Sequence, residues 1–168
     1  MKFLFIFLIV VTVFVSCKEK DLFSVRLPEN QTDFITKEKV KYNRGVQLRY
    51  SKSKTIFFSS IENMLKYVKK YNWNLLKAGV KKAYITDYYK SKNKKTEMWI
   101  NLNVAFLAYI KDSKGNRTLI AFNNPKILIK HKNDILPLNW KYTKPMKAKY
   151  FTFIELIREL RAVKRGKK

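Results

Sequence analysis

The sequence predicts a single α+β domain, in which repeated β-β-α units form a small antiparallel sheet packed by helices, with a helix at the C-terminus. Two observations predict this class. Stretches with an apolar residue at every second position occur in pairs, and a stretch with apolar residues three and four apart follows each pair. Aromatic residues make up 15% of the chain, whereas only four glycines and four prolines occur, which is typical of a folded domain.

The first 16 residues have the pattern of a signal peptide. Lys2 precedes an apolar run over 3–15, which is shorter than the about 20 residues that a membrane span needs. Residues 13–17 (VFVSC) resemble the lipobox of bacterial lipoproteins, with Phe14 where leucine is usual. This resemblance implies cleavage before Cys17, the only cysteine, and attachment of a diacylglyceryl anchor with palmitate-like chains. The alternatives are an ordinary secretory signal and an uncleaved anchor.

Residues 17–43 are predicted to be a tether between the lipid and the domain, which then covers 44–168. The tether is polar and shows no sustained hydrophobic period. A short edge strand is predicted inside it, because apolar residues alternate weakly before Pro28, namely Leu22, Phe23, Val25 and Leu27. The anchored protein is expected in the cell envelope, on the inner or the outer membrane.

The first β-β-α unit is predicted from the start of the domain. Residues 46–50 alternate between apolar and polar, which indicates a half-buried strand, and a turn over 51–54 leads to a second strand over 55–58. Ser59 and Glu62 have the spacing of a capping box. The helix that follows is expected to run to about Tyr71, with one buried stripe made of Ile61, Met64, Leu65 and Val68.

A second unit is predicted from strands over 83–89 and 97–100, which flank a lysine-rich turn over 90–95, and from a short helix over 102–109. After it we expect a loop over 112–116 and a strand over 118–122. A helix over 125–132, started by Asn124 and Pro125, and a loop over 133–147 with one short extended piece are expected to follow.

The C-terminal helix is predicted from a second capping box, formed by Thr152 and Glu155. Its apolar face is expected to contain Phe153, Ile154, Leu156, Ile157 and Leu160. The helix ends in a cationic stretch from 161 to 168, which suits the negative end of a helix dipole. Contact of this tail with a membrane surface is the second interpretation.

The net charge of +25 predicts attraction to anionic lipids, nucleic acids or acidic polysaccharides. Lysine supplies 30 of the 37 basic residues, however, and arginine is the better residue for specific phosphate recognition. General solvated basicity is therefore the alternative, and no specific nucleic-acid recognition is expected. The candidate residues for a polyanion site are Lys90, Lys92, Lys94, Lys95, Lys164 and Arg165.

Four short stretches resemble NosL-type lipoproteins, accessory proteins of nitrous oxide reductase that carry copper outside the cytoplasm. They lie between about 46 and 132, at 56–67 (IFFSSIENMLKY), 84–88 (YITDY), 98–100 (MWI) and 119–122 (LIAF). The resemblance implies the fold of that family and a role as an accessory protein outside the cytoplasm.

The residues that would bind copper depart from that family. Its Cys-rich N-terminal motif has no counterpart here, and Asn63 stands before Met64 where the family has cysteine. Copper(I) prefers thiolate and thioether ligands. The remaining candidate ligands are Met64, Met98, His131 and Met146, with Met64 expected in the core and His131 on the surface. We therefore expect no cofactor and a loss of copper binding.

Motifs for nucleophilic catalysis and for phosphate-binding loops do not occur in the sequence, and one histidine offers little for acid–base chemistry. An enzyme is therefore not expected. Three functions remain: a membrane-anchored, non-catalytic binding or accessory module, an extracytoplasmic copper-binding accessory protein, and a basic surface adhesin for anionic polymers. The expected partners are the membrane through the lipid on Cys17 and an envelope protein or anionic polymer.

Overall fold

A computed structural model describes residues 22–145 and 149–166. Across these residues the chain forms two antiparallel sheets and three helices, which confirms the predicted α+β class and the C-terminal helix. None of the helices in the described ranges is long and apolar enough to cross a membrane. The predicted signal peptide and Cys17 lie outside the described residues, as does Met146.

The first sheet contains four strands in the order β2-β1-β3-β4, and every neighbouring pair is antiparallel. β1 and β2 form the predicted hairpin, with Val46 opposite Phe58 and Arg49 opposite Thr55. The bounds of the strands are Val46–Arg49 (β1), Thr55–Phe58 (β2), Lys82–Thr86 (β3) and Trp99–Asn101 (β4).

β1 is buried on both faces, although the alternation of its residues predicts a half-buried strand. The chain segment before β1 covers the face that carries Gln47, which was expected to be exposed to solvent. The backbone N–H of Val25 donates to Gln47 Oε1 at 3.0 Å, and Gln47 Nε2 donates to the Val25 carbonyl at 3.1 Å. Leu22 and Leu27 are buried beside this contact. From Leu22 onward, the segment interpreted as a tether therefore lies against the sheet, and residues 22–28 form no regular strand.

Helix α1 spans Ile61–Lys69 and buries the predicted stripe of four apolar residues. The capping box expected from Ser59 and Glu62 is wrong by one residue, since Ser60 is the N-cap and its hydroxyl accepts from the backbone of Asn63. Ser59 and Glu62 instead form hydrogen bonds with residues that are distant in the sequence. The Ser59 hydroxyl donates to Asp33, and Glu62 Oε1 accepts from the backbone N–H of Leu119 at 2.6 Å. Glu62 thereby ties α1 to the second sheet.

The second sheet is organised around a central strand, β5 (Phe106–Lys111). One edge of β5 pairs along its whole length with β6 (Arg117–Phe122), and the other edge pairs with β7 (Ile135–Leu136) and β8 (Phe151–Thr152). The short helix α2 (Ile127–Lys130) follows β6, so β5, β6 and α2 form a second β-β-α unit.

The helix predicted over 102–109 is wrong, because β5 begins inside it at Phe106. Leu107, Ala108 and Ile110 are all buried, so the strand is covered on both faces and lacks the alternation of a half-exposed strand. A short continuous apolar run of this kind fits a buried strand as well as a helix. The loop predicted over 112–116 and the strand over 118–122 are confirmed.

Helix α3 spans Phe153–Arg165 and starts with the predicted capping box. Thr152 Oγ1 accepts from the backbone of Glu155, and Glu155 Oε2 accepts from the backbone of Thr152 at 2.7 Å. The predicted apolar face is correct for Phe153, Leu156 and Ile157, which are buried, whereas Ile154 is exposed.

Both sheets share the largest hydrophobic cluster of the described chain. Val46, Leu48 and Phe58 enter it from the first sheet, and Leu107 and Leu119 enter it from the second. Helices α1 and α3 contribute their buried stripes to the same cluster. The surfaces described below are therefore fixed to one common core.

Candidate functional site

Met64, the methionine that the family resemblance places beside a metal-binding cysteine, belongs to the shared core. Its side chain is 0% exposed and packs in the cluster that α1 forms with both sheets. A thioether in this position fills space among aliphatic side chains. The expectation that Met64 is a core residue agrees with this placement.

The residue before it, Asn63, is part of a buried polar cluster centred on Asp33, which we call the Asp33 cluster (Asp33, Ser59 and Asn63). Asn63 Nδ2 donates to Asp33 Oδ2 at 3.0 Å and to Ser59 Oγ at 3.1 Å. Ser59 donates to the same carboxylate oxygen from its backbone N–H at 2.6 Å and from its hydroxyl at 2.9 Å. The side chain of Asn63 therefore joins the start of α1 to the segment around residue 33.

The other oxygen of Asp33 is equally occupied. Asp33 Oδ1 accepts from the backbone N–H groups of Ile35 at 2.7 Å and Thr36 at 2.8 Å, so the two oxygens together take five hydrogen bonds. Burial by itself raises the pKa of Asp33, but these hydrogen bonds outweigh it and hold the pKa below its usual value. A carboxylate with this many internal donors stabilises the fold and leaves little capacity for an added ligand.

The other described candidate ligands have different surroundings. Met98 is 38% exposed, and its sulfur lies 3.8 Å from Asn123 Nδ2. His131 is partly exposed, stacks on Tyr89 at 4.1 Å between ring centroids, and has Nδ1 3.4 Å from Asp134 Oδ2. Over 22–145 and 149–166, no group of three or more His, Cys, Asp or Glu residues is placed to hold a metal ion. Met146 lies outside these ranges.

The four candidate lysines of the β3–β4 loop, Lys90, Lys92, Lys94 and Lys95, are all exposed. Polar side chains fix the loop from within: Asp87 Oδ1 accepts from the backbone of Lys90, and Thr96 Oγ1 accepts from the backbone of Lys92. Ser91 is buried and bonds the backbone of Met98 in both directions. The loop thus presents four cations from a backbone with internal hydrogen bonds.

The remaining two candidate cations, Lys164 and Arg165, are exposed in the last turn of α3. Lys164 Nζ lies 3.3 Å from Asn72 Oδ1. Arg165 lines a cavity of about 620 Å³ together with Tyr142, Arg158, Arg161, Ala162 and Gly166. Two further arginines of α3 line this cavity, Arg158 and Arg161, which are not among the six predicted candidate cations.

A second cavity, of about 550 Å³, lies between the loop after α1, strand β3 and helix α3; we call it the α3 groove. Its apolar wall includes Trp73, Val80, Ala83, Phe153 and Ile157, and its polar residues include Lys82, Asn101, Asn103, Arg158 and Arg161. Arg161 Nη2 also donates to the Trp73 carbonyl at 3.5 Å. Arg158 and Arg161 line both cavities, so they stand where the two adjoin.

Comparison with known proteins bears on the fold. The sequence matches no protein-family model and no curated protein. Among solved structures, the chain matches the crystal structure of the copper chaperone NosL from Shewanella denitrificans with a TM-score of 0.55 and 14% sequence identity. The match covers 79% of this chain and 94% of that one. The fold is NosL-like.

The NosL-like fold agrees with the resemblance read from the sequence, and at 14% identity the likeness extends to the fold alone. Within this fold, Asn63 and Met64 occupy the start of α1, where the sequence resemblance implies a Cys-Met pair. In this chain the side chain of Asn63 donates a hydrogen bond to Asp33, and the side chain of Met64 is buried in the core.

Sequence reasoning missed both the Asp33 cluster and the α3 groove. Asp33 lies 26 residues before Ser59 and 30 before Asn63, so no local pattern connects them. The groove had one readable signal, because three of the seven arginines occur at 158, 161 and 165 in a chain with 30 lysines. This spacing places all three on one side of a helix.

Proposed function

We propose that this protein is a lipid-anchored, non-catalytic accessory or binding protein of the bacterial cell envelope, built on a NosL-like scaffold without the copper site. The fold likeness to a copper chaperone supports an accessory role. The lipobox-like stretch that ends at Cys17 supports the anchor. Each part of the proposal can be tested separately.

The Asp33 cluster is the observation that carries the proposal. Where the family resemblance implies a cysteine thiolate, this chain has an amide whose Nδ2 donates to a buried carboxylate and to Ser59. The neighbouring thioether of Met64 has no exposed surface. A copper(I) ion at this place would need Met64 to leave the core and would displace the donors that satisfy Asp33.

A copper(I) titration of the chain from residue 18 to 168 against a competing chelator tests the metal-free state. We expect no copper to be taken from the chelator. Tight one-to-one binding would overturn this part of the proposal and support the alternative of a copper-binding accessory protein. Substituting Met98→Leu, His131→Gln and Met146→Leu one at a time would then identify the ligands.

Mass spectrometry of the full chain expressed in a bacterium that processes lipoproteins tests the anchor. We expect the mature chain to begin at residue 17 with the added mass of a diacylglyceryl group. The Cys17→Ala variant should lack this mass and should leave the membrane fraction. An unmodified chain that begins elsewhere would point to an ordinary secretory signal, and an uncut chain to an uncleaved anchor.

A basic adhesin for anionic polymers is the second candidate, and the β3–β4 loop favours it because four exposed lysines occur within six residues. Heparin binding should then persist in physiological salt, where weak surface attraction is screened. The variant with Lys90, Lys92, Lys94 and Lys95 all changed to Gln should lose this binding. Removing four other exposed charges, Lys37, Lys52, Lys77 and Lys114, provides the matched control; equal losses would indicate general basicity instead of a site.

A further inference from the structure

We propose that the α3 groove docks onto the surface of a membrane that contains anionic phospholipids. In this arrangement Arg158 and Arg161 bind lipid phosphates, while the exposed aliphatic side chains at the groove, Leu76 and Ile154, enter the boundary between headgroups and acyl chains. The proposal goes beyond the accessory role above and uses the anchor at Cys17 only as an argument that the groove is held near a bilayer.

The arginines give the groove its charge preference. Arg158, Arg161 and Arg165 follow one side of α3, and guanidinium groups bind phosphate oxygens through two parallel hydrogen bonds. No aspartate or glutamate is among the residues that line the groove or the adjoining cavity. The two glutamates of α3, one before Arg158 and one between Arg158 and Arg161, serve the fold.

Those glutamates are Glu155, which completes the capping box, and Glu159, which is buried. Glu159 accepts from the backbone N–H groups of Lys141, Tyr142 and Thr143 and from the Thr143 hydroxyl. Glu155 Oε2 and both oxygens of Glu159 accept hydrogen bonds inside the fold, and neither carboxylate forms an ion pair with an arginine in the described part of the chain. The exposed surface of α3 is left strongly positive beside the groove.

The exposed aliphatic side chains at the groove favour a membrane over a soluble anion as its ligand. Leu76 is 79% exposed and Ile154 is 52% exposed, and both line the groove. Val104, next to the groove residue Asn103, is 67% exposed. Exposed aliphatic residues beside cations are typical of surfaces that lie in the membrane interface, where apolar burial and attraction to anionic lipids act together. A free phosphate ion would use the cations alone.

The start of the described chain contacts strand β3, which also lines the groove, although it does so on the face of the first sheet that points away from the shared core. The carbonyl of Leu22 accepts from Tyr84 Oη at 2.6 Å. Tyr84 pairs with Asn101 across the sheet and follows Lys82 and Ala83, and all three of these neighbours line the groove. Cys17 is five residues before Leu22, so its Cα lies at most about 18 Å from that of Leu22. A lipid on Cys17 would therefore keep strand β3, whose residues Lys82 and Ala83 line the groove, within reach of the bilayer.

The test uses the full chain with Cys17→Ser and Leu76→Cys, labelled at position 76 with the environment-sensitive fluorophore NBD. The chain is reconstituted into phosphatidylcholine vesicles with or without phosphatidylglycerol. We expect blue-shifted NBD emission, quenched by doxyl-labelled lipids, only when phosphatidylglycerol is present. In the Arg158→Gln and Arg161→Gln double variant, the ratio of docked to undocked groove should fall roughly thirtyfold, since each cation near an anionic surface contributes about 1 kcal/mol.

The matched control replaces two cations outside the groove, Lys130→Gln and Lys132→Gln, which line neither cavity. It should retain most of the docking, because neither lysine lines the surface proposed to meet the lipid phosphates, and salt screens the attraction of other exposed charges. Equal losses in the two double variants would overturn the proposal, as would identical emission with and without phosphatidylglycerol. A blue shift caused by inorganic phosphate in phosphatidylcholine vesicles would overturn the membrane as the occupant.

Arg158→Gln alone guards against a folding artefact, because Arg158 is exposed and Arg161 contacts the Trp73 carbonyl. The single variant should lower the docking ratio about fivefold. Residue 17 is serine in this chain and copper is not measured, so a negative result leaves the lipid and copper tests of the proposed function untouched. Failure of those tests would in turn leave the groove result standing.

Discussion

The Asp33 cluster and the α3 groove both bring polar side chains together, but the two regions differ in how these side chains are satisfied. In the Asp33 cluster, a carboxylate with no exposed surface takes five hydrogen bonds from the protein itself. In the groove, Arg158 faces solvent and no carboxylate is among the lining residues. The first arrangement stabilises the fold, whereas the second leaves charge available for a partner.

The contrast also shows that similarity to a known fold need not extend to the residues of its functional site. The fold is similar to that of a copper chaperone at 14% sequence identity. At the start of α1, however, the amide of Asn63 serves Asp33 rather than a metal. A ligand of this protein should therefore be sought at the α3 groove, where Arg158 is exposed, and not at Asn63 and Met64. The predictions below test this difference between the two regions, beginning with the largest effect.

Removing the carboxylate of Asp33 should have the largest effect on stability. Asp33→Ala leaves several buried donors without an acceptor, and we expect the free energy of unfolding to fall by about 4 kcal/mol, since each unsatisfied group costs about 1–3 kcal/mol. Urea unfolding followed by circular dichroism measures this loss. Asp134→Ala, at a residue whose side chain is 66% exposed, is the matched control and should change stability by less than about 0.5 kcal/mol.

Acidification should weaken the same cluster in the unaltered chain. Because the pKa of Asp33 is lower in the folded state than in the unfolded state, the carboxylate contributes stability that is fully present above the unfolded value. This contribution is lost as the pH falls through the folded pKa. Urea unfolding between pH 6 and strongly acidic pH should show the decline, and Asp33→Asn should flatten it. An unchanged slope in that variant would mean that other groups, such as Glu159, cause the decline.

Asn63→Ala should have an intermediate effect. Asp33 Oδ2 keeps its two hydrogen bonds from Ser59, so only the amide contacts are lost, and we expect a destabilisation of about 1–2 kcal/mol. Asn103→Ala, at an exposed residue, should be close to neutral. Asn63→Cys is more informative, because it restores the Cys-Met pair of the resemblance. It should destabilise the fold to a similar degree and gain little copper affinity while Met64 stays in the core.

The sequence predicted the parts of this fold that local patterns specify. The β1–β2 hairpin, the stripe of α1 and the capping box of α3 were all predicted, because alternation, helical spacing and capping residues act over a few positions. β5 was misread as a helix because its continuous apolar run carries no period once both faces are buried.

The two polar regions were out of reach for a different reason. Asp33 meets its partners across 26 to 30 residues. The α3 groove collects residues from four separate stretches of the chain, 73–83, 101–103, 153–154 and 157–161. Only tertiary packing determines such neighbours. The arginine spacing in α3 was readable, but which surface those arginines share with Leu76 was not.

Among these substitutions, the smallest effect on stability is expected for a change in the α3 groove. Arg158 is exposed, so Arg158→Gln should change the free energy of unfolding by less than about 0.5 kcal/mol. The same substitution should weaken docking to anionic vesicles, as argued above. A residue that matters for membrane contact but not for folding is the reverse of Asp33. If Arg158→Gln instead lowered stability as much as Asn63→Ala, the arginine would have to be regarded as part of the fold, and the distinction between the two regions would disappear.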